Sequence, residues 1–272
     1  MNPSVALVTL AIGESIQAYW NEYCKWNWTE YARVHGFDLH VITEPMDRSD
    51  RAARRSPAWQ KCLVLGHPEL QRYRQVVLLD ADVAINPQRS PAITAYVPED
   101  KVGGVISGAY IHDDLKMIFL ERLRGKTFAF CPDLSDWQTE QRRFYEACGL
   151  RPDFSEVIQT GVLVTSPLHH RELFESVYAR DYAARGRDYE QVPLSHEILR
   201  RGLFCRLNSR FNTVLYERLA VHYPYLLNKQ LPHYDPLARI AVFVEWSNSF
   251  FLHFAYERDF ARFLPKEADH RK

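Results

Sequence analysis

Residues 76–87, VVLLDADVAINP, limit what this chain can fold into more than any other stretch. Four consecutive apolar residues, Val76 to Leu79, describe a strand buried on both faces, as in parallel sheets covered by helices on each side. The strand delivers acids: Asp80 and Asp82 follow at once, and Asn86 with Pro87 supplies a turn. If the backbone stays extended through Ala81, alternation puts both carboxylates on one side. Adjacent carboxylates repel unless a cation lies between them, and an oxygen-rich pair suits magnesium or manganese, which share their remaining positions with water and phosphate. Asp-x-Asp also occurs as an ordinary strand end leading into a turn, so its meaning depends on the rest of the chain.

The segments around it form a consistent pattern. Residues 5–10 are an apolar run, and Gly13, Glu14 and Ser15 mark a helix start. From there Ile16, Tyr19, Trp20, Tyr23, Trp26 and Tyr31 recur mostly three or four apart until Gly36, the stripe of a helix packed on a sheet. Residues 37–43 alternate as a second strand. Strand, helix and strand with short connections make a right-handed parallel unit, so an α/β fold is expected, with its ligand beyond the carboxyl ends of the strands. Thr9 to Gly13 and Asp80 to Asp82 both belong at that edge.

Further along, residues 45–57 carry Arg48, Arg51, Arg54 and Arg55, either as a solvated loop or as a flap that meets phosphate. Residues 59–70 read as a helix whose Lys61 faces solvent. Residues 102–107 form another strand. The polar and aromatic tract 113–156, with helical patches at 115–123 and 137–147, reads as an elaboration on the binding edge. Residues 157–165, VIQTGVLVT, are a strand interrupted by Gln159, Thr160 and Gly161. The interruption reads either as a bulge or as an amide and a hydroxyl set beside a glycine that lets backbone approach a ligand. Ser166 and Pro167 open a helix ending near Gly186, and Glu190 and Gln191, by themselves ordinary surface residues, precede Pro193 and a short helix. FCRLNSRFN at 204–212 gives a strand and turn, and 222–236 a proline-interrupted loop. In FFLHFAY at 250–256, His253 has the surroundings of a hydrogen-bonded core histidine.

Bulk properties exclude several classes. Lys plus Arg and Asp plus Glu are both 34 in 272 residues, which argues against a nucleic-acid partner. No apolar run approaches the ~20 residues of a membrane span, and the N-terminus lacks a signal-peptide pattern. Five scattered cysteines without CxxC spacing suggest neither zinc nor a disulfide framework. The expectation is one domain over residues 1–272, soluble and cytoplasmic, or the soluble part of a membrane-anchored enzyme.

Taken in order, the N-terminal strand and helix, Lys61, LLDADV, QTGVLV, YEQVPLS, RFN and LHFAY resemble the retaining, metal-dependent GT-A glycosyltransferases, closest to family 34 with similarity to family 8. The resemblance implies a Rossmann-like nucleotide-sugar transferase fold with a mostly parallel central sheet. It implies transfer of a sugar from a nucleotide diphosphate, UDP before GDP, to a hydroxyl of a glycan or other acceptor, with the anomeric configuration retained. Asp80, Asp82 and His253 would hold manganese, or magnesium. Thr9, Lys61, Asp80, Gln159, Thr160 and Gly161 would meet the donor, and Glu190 and Gln191 would lie beside the anomeric carbon. The tract 113–156 would sit on the acceptor side. Two departures stand out. Glu190 replaces the usual aspartate, and Ala255 and Tyr256 follow His253 where the family has a glycine and sometimes a diphosphate-binding lysine, leaving Arg258 as a substitute. The competing readings are a non-catalytic sugar-nucleotide or glycan-binding protein of the same fold, and a haloacid-dehalogenase-type phosphatase.

Overall fold

The computed structural model describes residues 4–109, 137–183 and 189–266. The patch at 115–123 lies outside the described residues, and the helix opened by Ser166 and Pro167 ends at Ala179, short of the expected end near Gly186. The strands are β1 (Val5–Leu10), β2 (Asp38–Ile42), β3 (Gln75–Asp80), β4 (Val83–Ile85), β5 (Val102–Ile106), β6 (Ile158–Thr165), β7 (Phe204–Arg206), β8 (Thr213–Val214) and β9 (Phe251–His253). Six of them form a central sheet in the order β2-β1-β3-β6-β5-β7, and β4-β9-β8 form a second, smaller one. In the central sheet β6 runs antiparallel to β3 and β5 and the other pairings are parallel, so the sheet is mostly parallel, as expected.

Burial of β1 and β3 on both faces follows from their unbroken apolar composition. Leu7, Val77 and Leu79 face one core with Trp20, Trp28, Tyr31 and Phe251, while Ala6, Val8, Val76 and Leu78 face another with Phe174, Val177, Leu194 and Ile198. The aromatic stripe is packing, as its spacing indicates. Its helix runs through Glu14–Tyr19, a π turn at Trp20–Cys24 and Lys25–His35. It starts after Gly13 at φ 99 and stops at Gly36 at φ 68, both at the positive φ that side chains disfavour.

This helix also fixes the segment after the Asp-x-Asp. Trp28 Nε1 donates to the Val83 carbonyl at 2.7 Å, and Asn27 Oδ1 accepts from the Ile85 amide at 2.9 Å. β4 is therefore held against the helix. The extended backbone expected through Ala81 is not what the structure has: β3 ends at Asp80, residues 81 and 82 turn, and β4 leaves for the second sheet. The turn, rather than strand alternation, brings the two acids together.

Sequence reading missed the helix Tyr234–Asn248, whose first residues fall in the segment read as a loop. Pro236 sits in its first turn, where a missing N–H costs no hydrogen bond. Its buried face, with Ala238, Val242 and Trp246, packs on Leu252 and Phe254 and gives the second sheet a core of its own.

Candidate functional site

The carboxyl ends of β1 and β3, the middle of β6, the start of the helix Gln191–Arg200 and the segment after β9 surround an open cleft of about 700 Å³. At its floor lie Asp80, Asp82 and His253, each offering one donor atom within 4.8 Å of the others. Register explains the meeting. Val83 pairs with His253 across β4 and β9, and the Phe254 amide donates to the Asp82 carbonyl at 2.9 Å, so the turn carrying Asp82 is stitched to the strand carrying His253. His253 Nε2 lies 3.2 Å from Asp82 Oδ1 and 3.9 Å from Asp80 Oδ2. Its other nitrogen, Nδ1, faces Asn212 Oδ1 at 3.0 Å. Asn212 is fully buried, and its amide donates to the Gln159 carbonyl at 3.4 Å, which orients the oxygen toward the ring. Nε2 is thereby left for the carboxylates.

The acids use their remaining oxygens on basic side chains. Asp80 Oδ1 meets Lys61 Nζ at 2.7 Å, and Asp82 Oδ2 accepts from Arg258 Nε at 2.8 Å. Lys61 does not face solvent as its helix pattern suggested. It is buried at the inner side of the Pro57–Gly66 turns, and its remaining donors go to Glu190 Oε1 at 2.8 Å and the Thr160 carbonyl at 2.9 Å. Burial alone would lower its pKa, but the carboxylates of Asp80 and Glu190 outweigh that and hold it above the ordinary lysine value. Burial likewise pushes the Asp82 carboxyl up, and the His253 hydrogen bond and Arg258 charge overcome it and hold Asp82 well below the usual range.

β6 supplies the opposite wall. The ladder to β5 shifts register there, with Gly104 paired to Leu163 and Val105 to Gln159, so the bulge reading and the ligand-facing reading of Gln159 to Gly161 describe the same irregularity. Gln159 and Thr160 line the cleft. Gly161 makes room: a Cβ there would stand 2.3 Å from His253 Cε1 and 2.7 Å from its Nδ1. Thr160 Oγ1 donates to Glu190 Oε1 at 2.9 Å, and Glu190, read from sequence as a surface residue, is 2% exposed. Gln191 is half-buried and lines the cleft.

Thr9 is placed differently from the rest. It is buried in β1 with its hydroxyl unpartnered, while Leu10 and Ile12 line the cleft. Two arginines of the 45–57 segment also turn elsewhere. Arg55 donates to the Tyr178 carbonyl at 2.6 Å and lies over the Trp59 ring, and Arg51 pairs with Asp181 at 2.8 Å. Asn212 was missed as a site residue, although it is the Asn of the RFN turn that carried part of the family resemblance.

Two carboxylate oxygens and one imidazole nitrogen, kept open by a glycine, fit a hard or borderline divalent cation such as manganese. No protein-family model and no curated protein matches the sequence. Among solved structures the chain is similar to a glycosyltransferase involved in the glycosylation of the major capsid of PBCV-1, at 14% identity, over 96% of this chain and 98% of that chain, with TM-score 0.55. It is also similar to the WbbM bifunctional glycosyltransferase, at 11% identity, over 100% of this chain and 51% of that chain, with TM-score 0.51. At such identities the likeness concerns architecture: the α/β fold with a mostly parallel central sheet, of the GT-A type, is shared with glycosyltransferases.

Proposed function

We propose that this chain is a retaining, divalent-metal-assisted glycosyltransferase that moves a sugar from a UDP-linked donor to a hydroxyl of a glycan or other acceptor. One observation carries the reading. Donor atoms of Asp80, Asp82 and His253, from parts of the sequence more than 170 positions apart, converge at the floor of a cleft large enough for a nucleotide sugar. A core histidine with two acids nearby would need no such convergence beside an open cavity.

Asp80, Asp82 and His253 would hold the metal, which supplies Lewis-acid neutralisation of the departing diphosphate. Asn212 holds the His253 ring so that Nε2 faces the acids. Leu10 and Ile12 give the nucleotide an apolar wall, and Gln159 and Thr160 present polar groups to the donor sugar. Positive charge grows at the anomeric carbon during transfer, and the neutral carbonyl of Gln191 would lie against it without forming a bond. Glu190 is committed to its neighbours. Its Oε1 already accepts from Lys61 at 2.8 Å and from Thr160 at 2.9 Å. The Lys61 charge on that oxygen draws electron density from the carboxylate and weakens it as a nucleophile, which supports attack by the acceptor hydroxyl on the same face from which the diphosphate leaves, rather than a covalent intermediate on Glu190.

The test is release of nucleoside diphosphate from a panel of UDP- and GDP-sugars with manganese. Turnover of one UDP-sugar is expected, and Asp82→Asn, which keeps the shape of the side chain, should lower kcat/KM by about a hundredfold or more. Equal turnover by the variant, or turnover in excess chelator, would remove the metal role.

A further inference from the structure

Each acid of the candidate metal site has one oxygen directed at His253 and the other on a cation of the chain itself, and the two cations differ. Lys61 is buried, shared between Asp80 and Glu190, and has every donor engaged. Arg258 is 56% exposed, comes from the rim after β9, lines the cleft and forms its ion pair with Asp82. Arg258 is not needed to place the Asp82 backbone, since the Phe254 amide on the Asp82 carbonyl and the Val83–His253 pairing fix the turn, and His253 Nε2 already meets Asp82 Oδ1 at 3.2 Å. What the guanidinium adds is charge. Asp80, Asp82 and Glu190 face Lys61 and Arg258, three negative groups against two positive, and at the rim Lys229 stands 3.1 Å from Asp259 and 3.9 Å from Glu257. A divalent cation entering beside Asp82 meets the positive charge of Arg258 at close range. The same side chain has somewhere else to go. It is long, half in solvent, with its Cζ 5.9 Å from the Tyr19 ring centroid, and the segment that carries it turns sharply at Tyr256, whose φ is 67.

We propose that Arg258 is an exchangeable counter-ion, which neutralises Asp82 in the donor-free protein and turns to the donor's diphosphate when the donor arrives. Divalent-cation binding at Asp80, Asp82 and His253 is thereby made conditional on the nucleoside diphosphate through one side chain. The coupling is reciprocal, since whatever the diphosphate does for the metal the metal does for the diphosphate. The inference rests on the reading of these three residues as metal-holding, and it differs from a positioning role in sign. An arginine that merely aimed Asp82 would weaken metal binding when removed, whereas removing a counter-ion that opposes the metal strengthens it.

The experiment is a manganese titration of the full chain by calorimetry and by the paramagnetic signal of free manganese, with and without UDP, and again with GDP. Wild type, Arg258→Gln and Asp82→Asn are compared. Without nucleotide, Arg258→Gln is expected to bind manganese at least about fivefold tighter than wild type, the lower end of usual coupling between sites. The enhancement of manganese affinity by the nucleotide is expected to shrink at least as much. Asp82→Asn should lose the site and so identifies it. Equal or weaker manganese binding by Arg258→Gln without nucleotide overturns the proposal, as does an unchanged nucleotide enhancement, while leaving the metal site itself standing. Absence of manganese binding by wild type under all conditions removes the metal reading and this proposal together.

Discussion

Lys61→Met is expected to lower folding stability by about 3–5 kcal/mol, the range for breaking one side of a buried ion pair. The lysine side chain is 6% exposed and that of Glu190 is 2% exposed, so neither charge is screened by solvent as a surface pair would be. Methionine fills the volume and leaves Glu190 with the Thr160 hydroxyl as its hydrogen-bond partner. Most of the loss comes from that stranded carboxylate. Urea denaturation should show a lower midpoint with the slope unchanged, and Lys61→Met with Glu190→Gln should recover much of the difference, because a neutral amide no longer needs a counter-ion. A cost under about 1 kcal/mol would place the pair in the range of exposed salt bridges and contradict the buried network.

Gly161→Ala is expected to abolish metal binding at the cleft floor. The added methyl would stand 2.3 Å from His253 Cε1, a distance no relaxed carbon pair adopts. His253 cannot step aside cheaply. It is 2% exposed, lies in β9 between β4 and β8, and has Asn212 on its Nδ1. Overpacking of this kind costs roughly 1–3 kcal/mol of stability, and the imidazole that moves takes a ligand with it. The control separates sterics from chemistry. In Gly161→Ala with His253→Ala the clash is gone, so thermal stability should return toward wild type while manganese affinity stays lost. A Gly161→Ala protein that binds manganese as wild type does would show that His253 is not a ligand.

The sequence made the sheet legible because β1 and β3 are apolar on both faces, a pattern that solvent-facing strands cannot carry, and because the aromatic spacing from Ile16 to Tyr31 is unmistakably helical. The order of short motifs, none of which is specific alone, singled out Asp80, Asp82, His253, Glu190 and Gln191, and the structure brings these five to one cleft. Other features were beyond the sequence for physical reasons. Helical periodicity says which face of a segment is apolar, not which neighbours arrive from elsewhere, so Lys61 and Glu190 looked like surface residues until β3 and the helix Gln191–Arg200 enclosed them. Asn212 acts through a contact 41 positions away, which no local pattern encodes. The helix Tyr234–Asn248 was hidden by a proline in its first turn and by an exposed face that keeps Ile240 and Phe243 in solvent, blurring its period.

Thermal denaturation of the wild-type chain with UDP, GDP and their common sugars, each with and without manganese, tests the central claim most directly. A ligand at about 100 times its dissociation constant adds roughly 2.7 kcal/mol, a readily measured shift. Stabilisation by UDP and a UDP-sugar that requires manganese, and disappears in Asp82→Asn, is the predicted result. Indifference to every nucleotide with manganese present, or the same stabilisation without it, would contradict a metal-assisted nucleotide-sugar site at Asp80, Asp82 and His253.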